Sequence, residues 1–335
     1  MPGDTTNRYW VPVDAEAEND VHAHALAFVG RGKRVLELGC AAGHVTRALV
    51  DRRCEVVGIE ADAEAASNLD DLAGGRVDVF VGDLTDPTIV QKAAEGRTFD
   101  VVLAGDVLEH LPDPVSTLQA CRDVLRPDGY LVVSLPNIAH ADVALSLLDG
   151  QFGYRDTGLL DRTHLRFFTL EGVHQLLEDA GFVGIEVRRV IRPIFETELA
   201  PDPAHFEPAV VERALAAPEA ETYQFVVRAV PHSGDTEVAR LADRAIRAED
   251  DLRRRELDRL VLEAELGVVR DALLDCQRQL HELGERSGRE GHELREQIER
   301  CETLIAALFS TKTLRAAAPF RAAYAASRRG DPRSG

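Results

Sequence analysis

From Arg34 to Leu135 the chain alternates short, almost unbroken apolar runs with stretches where apolar and charged residues recur at helical spacing. The runs are residues 34–38, 55–59, 77–81, 101–104 and 130–135. Strands covered on both faces read this way, because neither face can carry polar side chains into solvent. Residues 45–50, 63–72, 87–94 and 114–125 lie between them and predict helices. Strict alternation of strand and helix predicts an α/β, doubly wound parallel sheet with right-handed crossovers.

The pattern then changes twice. A helix over 170–180 ends at Gly181, a residue suited to the position just past a helix end. Strands over 183–190 and 222–229 flank a helix over 208–216 and predict an antiparallel pair closing the edge of a seven-stranded sheet. After Pro231 the strand pattern stops and two apolar columns repeat every seven residues, starting from Val238 and Leu241 and running to Leu308. Two such columns over more than four heptads predict a coiled coil. Three glycines and a serine within 284–291 predict a break in it. The rod before that break would span about 70 Å at about 1.5 Å per residue. Three regions result: 1–232, an α/β domain; 236–309, the coiled coil; and 310–335, a tail.

Charge sharpens that division. The whole chain has 58 acidic and 39 basic side chains, a formal charge of −19. Residues 1–234 carry 38 acids and 20 bases (−18), residues 235–310 carry 19 and 13 (−6), and residues 311–335 carry one and six (+5). An acidic domain argues against a nucleic-acid partner, whose binding rests on Lys and Arg neutralising phosphates. Cys40, Cys54, Cys121, Cys276 and Cys301 form no CxxC pair, and no run of 18 uncharged apolar residues occurs. A reducing cytoplasm is the expected setting.

The sharpest motif is VLELGCAAGHVT, residues 35–46, which leads from a buried strand into a helix through Glu37, Gly39, Cys40 and Gly43. Small residues there let a ligand approach the backbone at the carboxyl edge of the sheet. Glu37 would repel a pyrophosphate but suits a ligand bearing an ammonium group. Glu60 closes the second strand, and a carboxylate there can accept from both hydroxyls of a ribose. Asp83, after the third strand, can accept from an exocyclic amine, with the backbone of Leu84 as donor. Three acids at successive strand ends form a candidate site for a cationic, nucleoside-bearing cofactor.

On these motifs the chain resembles the class I S-adenosylmethionine-dependent methyltransferases. ELGCAAG, GIEAD and GDL look like their first three motifs, and residues 99–114 and 125–137 resemble their later strands. The resemblance covers about residues 30–230 and implies a Rossmann-like, seven-stranded sheet. Ala41 stands where that family usually has glycine. The resemblance implies that Gly39, Cys40 and Gly43 line the methionine moiety, with Glu37 on its amino group. It puts Glu60 on the ribose, Asp83 and Leu84 on adenine, and Asp106 beside the cofactor.

A hydroxyl acceptor also needs a base. His110, in DVLEHL, follows the fourth strand; His164 and Asp161 lie with Arg166 in GLLDRTHLRFFT; and His140 follows SLPN. His110, His164 and Asp161 are the expected catalytic set. Asp106-x-x-Glu109-His110 resembles a cluster of quinone-type O-methyltransferases, although the expectation here is a reaction without metal. The segment 134–168 resembles methyltransferases encoded with bacterial surface-glycan and O-antigen glycosyltransferases, implying a sugar hydroxyl as acceptor. A quinone or phenol acceptor is the alternative, and a non-catalytic scaffold with a coiled coil is another. The coiled coil is expected to self-associate or dock partners. The basic tail, with Arg315, Arg321, Arg328 and Arg329, is expected to touch anionic lipid at the inner membrane face.

Overall fold

The computed structural model describes residues 13–67, 69 and 76–232, together with residues 248, 252, 255, 259, 262–263, 266–279 and 298–303. The chain divides into two units, 1–250 and 251–335. The basic tail and most of the heptad region lie outside the described residues.

In the first unit the strands are β1 (Arg34–Leu38), β2 (Glu55–Glu60), β3 (Val77–Val81), β4 (Phe99–Gly105), β5 (Leu125–Pro136), β6 (Phe182–Ile191) and β7 (Thr222–Pro231). They form one sheet in the order β3-β2-β1-β4-β5-β7-β6. The first five run parallel, β7 is antiparallel to β5, and the edge strand β6 is antiparallel to β7. The helices are α1 (Val21–Val29), α2 (His44–Asp51), α3 (Ala63–Ser67), α4 (Thr88–Ala94), α5 (Pro114–Val124), α6 (Ala141–Leu148), α7 (Leu170–Asp179) and α8 (Pro208–Leu215). Two of these, α1 and α6, the sequence pattern did not predict. Both are apolar on more than one side, so neither shows the amphipathic period that marks a surface helix.

Alternate residues of the central strands feed two cores. Leu36, Val102, Ala104, Leu131 and Val133 pack on one face with residues of α4, α5 and α7. Val35, Val101, Leu103, Tyr130 and Val132 pack on the other with residues of α1 and α2. Burial on both faces explains the uninterrupted apolar runs. The strands β4 and β5 extend beyond the runs 101–104 and 130–135, because flanking residues still pair, Phe99 with Leu125, Gly105 with Ser134 and Pro136 with Gln224. Only Ala63–Ser67 of the predicted helix 63–72 is helical among the described residues.

The described part of the second unit includes helical residues 266–279 and 298–303. Leu252, Leu266 and Leu273 of the first heptad column are 65%, 56% and 40% exposed, so this seam is not covered by the chain itself among the described residues. The thiols of Cys276 and Cys301 lie within hydrogen-bond reach of each other. No helix among the described residues is long and apolar enough to cross a membrane.

Candidate functional site

The carboxyl edge of β1 and β2 builds the first half of the site. Gly39 and Gly43 have φ of 65° and 78°, a left-handed backbone that glycine adopts without a Cβ clash. A Cβ on Gly39 would stand 3.1 Å from Val107 Cγ2. Ala41 is left-handed too, at φ 45°, so the loop has the shape that a glycine there would give, held by an alanine at some strain. Glu60 supplies the restraint: its Oε2 accepts from the Ala41 N–H at 2.8 Å and its Oε1 from the Asp62 N–H at 2.9 Å. Each of its oxygens keeps a second lone pair for a ribose hydroxyl.

Glu37 is buried, and Thr46 Oγ1 donates to its Oε2 at 2.7 Å. Burial, and secondarily the nearby Glu60 charge, push its carboxyl up to about 7 against the Thr46 bond. A buried carboxyl without a cationic partner among the described residues fits the ammonium of a methionine moiety. Cys40 turns its thiol inward: Sγ lies where a Cβ on Gly58 would come within 2.7 Å, and burial holds the thiol protonated. Its side chain therefore packs the loop onto β2. The Cys40 N–H donates to the Ile59 carbonyl at 3.2 Å and its carbonyl accepts from the Gly43 N–H at 2.9 Å, fixing the turn. Asp83 is exposed, its Oδ1 accepting from the Thr85 N–H at 2.9 Å. Leu84 buries its side chain in the core, while its N–H donates to no group among the described residues. These positions meet the donor and acceptor needs of S-adenosylmethionine.

The second half lies beyond β4. Asp106 has φ 52°; its Oδ1 accepts from Ser134 Oγ at 2.5 Å and Gln224 Nε2 at 3.1 Å. Gln224 belongs to no sequence motif and Ser134 takes no predicted role within SLPN; strand pairing brings both here. The turn Leu108–His110 follows, with Glu109 buried and His110 half-buried. The Glu109 carbonyl accepts from the Leu165 and Arg166 N–H groups at 2.8 and 3.0 Å, strapping the loop 158–166 onto this turn. The rings of His110 and His164 then stand edge to face, 4.9 Å apart between centroids. Burial, with His110 next, lowers the pKa of His164, keeping it neutral.

Two expected candidates take other roles. Asp161 is 2% exposed and accepts from Thr163 N–H and Oγ1 at 2.8 and 2.7 Å, so it shapes the loop and is not itself a catalytic base. His140 is fully buried; its Nδ1 accepts from the Asp142 N–H and its Nε2–H donates to the Arg192 carbonyl at 2.9 Å. With both ring nitrogens occupied, it caps α6 and has no nitrogen left for an acceptor.

Glu109, His110 and His164 each offer one ligand atom, all within 4.8 Å of one another. Asp106, expected beside them, is instead engaged by Ser134 and Gln224. Glu109 Oε2 and His164 Nδ1 are buried without a hydrogen-bond partner among the described residues. Burial and the charges of Asp106 and Asp161 raise the Glu109 carboxyl well above the usual range. One carboxylate and two imidazoles suit a transition-metal ion better than Mg²⁺, which prefers oxygen ligands.

The chain is 36% identical over 144 residues to the ubiquinone biosynthesis O-methyltransferase of Hahella chejuensis, covering 40% of this chain and 58% of that protein. The corresponding enzyme of Actinobacillus pleuropneumoniae is 34% identical over 109 residues, 32% of this chain and 47% of that protein. The chain thus spans about half the length of these curated relatives. Among solved structures, the Burkholderia thailandensis 1,6-didemethyltoxoflavin-N1-methyltransferase, bound to 1,6-didemethyltoxoflavin and S-adenosylhomocysteine, superposes with a TM-score of 0.43. It is 21% identical, over 66% of this chain and 80% of that one. Residues 14–187, which hold both the glycine cradle and the paired histidines, match a family described as a methyltransferase domain. By that match over more than half of its length, the chain belongs to the methyltransferase-domain family, whose methyl donor is S-adenosylmethionine.

Proposed function

We propose that the chain transfers the methyl group of S-adenosylmethionine to a hydroxyl of a small aromatic acceptor. The observation that carries this reading is the His110–His164 pair, held at the end of β4 beside the glycine cradle at the end of β1. The cofactor supplies an activated methyl, so the protein needs to align an oxygen with it and remove one proton. Glu37, the 39–43 loop, Glu60, Asp83 and the Leu84 N–H hold the cofactor. His110 takes the proton of the acceptor hydroxyl, and a neutral His164 beside it adds no opposing charge.

The aromatic acceptor is favoured over a sugar because the relatives named above are ubiquinone biosynthesis O-methyltransferases. The surface-glycan reading rests on sequence resemblance, chiefly that of segment 134–168. Purified protein given methyl-labelled S-adenosylmethionine should label a catechol and not a sugar nucleotide; the reverse result would restore the sugar acceptor. Absence of S-adenosylhomocysteine binding by calorimetry would leave the scaffold reading.

A second reading adds a divalent ion, favoured by the unpartnered Glu109 Oε2 and His164 Nδ1. Held by Glu109, His110 and His164, such an ion would act as a Lewis acid on the acceptor oxygen. Unchanged activity after EDTA treatment would remove it. Segment 236–309 is proposed to self-associate through the exposed Leu252, Leu266 and Leu273, which light scattering of full-length and truncated chains would test. The basic tail is proposed to hold the enzyme at the cytoplasmic membrane face; liposome flotation unaffected by deletion of 311–335 would refute that.

A further inference from the structure

The contacts of His110 fix which of its nitrogens carries the proton. Its Nδ1 lies 3.2 Å from the Thr163 carbonyl oxygen and 3.1 Å from Thr163 Oγ1. A carbonyl oxygen only accepts, so Nδ1 must be the protonated nitrogen to bond it. The hydroxyl could compete by donating to Nδ1, but its hydrogen is engaged elsewhere. Asp161 Oδ1 stands 2.7 Å from Thr163 Oγ1 and also accepts the Thr163 N–H at 2.8 Å. Thr163 Oγ1 therefore donates to the carboxylate and presents its lone pair to His110. Carbonyl and hydroxyl both select the Nδ1–H tautomer and leave the Nε2 lone pair free.

We infer that Asp161 and Thr163 are positioning residues that hold His110 in its Nδ1–H tautomer, so that Nε2 takes the proton of the acceptor hydroxyl. This rests on the hydroxyl-methylation reading above. In the balanced step the hydroxyl oxygen forms the new O–CH₃ bond, the S–CH₃ pair returns to sulfur, and the hydroxyl proton passes to Nε2. The imidazolium so formed keeps its Nδ1–H on the Thr163 oxygens, with the Asp161 carboxylate one hydrogen bond behind. Neither Asp161 nor Thr163 touches the reacting atoms, and each acts through His110.

The test combines a spectroscopic and a kinetic measurement on the full chain. In chelator-treated protein with ¹⁵N-labelled histidine, two-bond proton–nitrogen correlations should show His110 with a protonated Nδ1 and a bare Nε2. Thr163→Val and Asp161→Ala should move the tautomer population toward Nε2–H. Both should lower kcat about tenfold with the KM for S-adenosylmethionine unchanged, while Thr163→Ser retains wild-type behaviour. Thr163 is exposed, so Thr163→Val remains informative if Asp161→Ala fails to fold. A wild-type His110 protonated on Nε2 would overturn the inference, and so would a shifted tautomer with unchanged kcat. If wild-type protein methylates no hydroxyl at all, the functional reading fails, and the spectrum still decides the tautomer separately.

Discussion

The two halves of the site are built in different ways. The proposed cofactor half comes from residues 37–84, three strand ends met in chain order, and its shape is largely backbone. The proposed acceptor half gathers Asp106, Ser134, the 108–110 turn, the 158–166 loop and Gln224, joined by hydrogen bonds spanning up to 118 residues. The first half tolerates little change at its glycines. The second depends on side chains whose roles are set by what each one touches. A histidine with a free nitrogen can do chemistry, and one with both nitrogens engaged cannot.

The largest effect is expected in the cradle. Gly39→Val places a β-branched residue at φ 65° and against Val107, and should weaken S-adenosylhomocysteine binding at least about 100-fold by calorimetry, with a stability loss of about 1–3 kcal/mol. Wild-type affinity would show that the loop is not the cofactor seat. Next is a contrast between two histidines. His110→Ala should lower kcat by about 10²–10³-fold and leave cofactor affinity intact. His140→Ala should keep kcat within about twofold and reduce unfolding free energy by about 1–3 kcal/mol in urea titrations, because it strips buried hydrogen bonds. Equal kinetic losses in both variants would erase the distinction drawn here.

A pH effect of middle size separates the halves further. The Glu37 carboxyl is pushed up to about 7 by burial, so it is protonated below that pH in the cofactor-free protein. A cofactor ammonium prefers the carboxylate, so affinity should rise with pH up to about 7 and then level, with a slope of at most about tenfold per unit. Glu37→Gln should flatten this profile and lower the plateau. The sign for stability is opposite: a carboxyl raised in the folded state makes the cofactor-free protein less stable as pH climbs from about 4.5 to 7.

The smallest effect concerns Ala41. Ala41→Gly relieves a left-handed alanine but adds freedom to the unfolded chain, and the two contributions nearly cancel. A rise in Tm of about 1–3 °C is expected, with cofactor affinity changed less than about threefold. A clear loss of stability would mean that the methyl group packs usefully where it stands.

The apolar runs by themselves determined the type of β1, β2, β4 and β5, because a strand buried on both faces has no polar alternative. The half-exposed edge strand β3 was legible from its β-branched residues instead. The same local logic placed Gly39, Gly43 and Glu60, whose roles follow from backbone shape and strand ends. Glu60 nevertheless does more than its position implied, since its carboxylate also restrains the Ala41 loop. Tertiary structure alone separated His140 from His110 and His164, because a histidine's role depends on which nitrogens are already bonded. It likewise turned Asp161 from a candidate base into a partner of Thr163, and brought in Ser134 and Gln224, which have no local signature. Helices α1 and α6 escaped the pattern because neither has a polar face. Helix α1 is buried on several sides, and α6 carries the exposed Leu147 and Leu148 on its outer side, so the period that marks a helix half in water is missing.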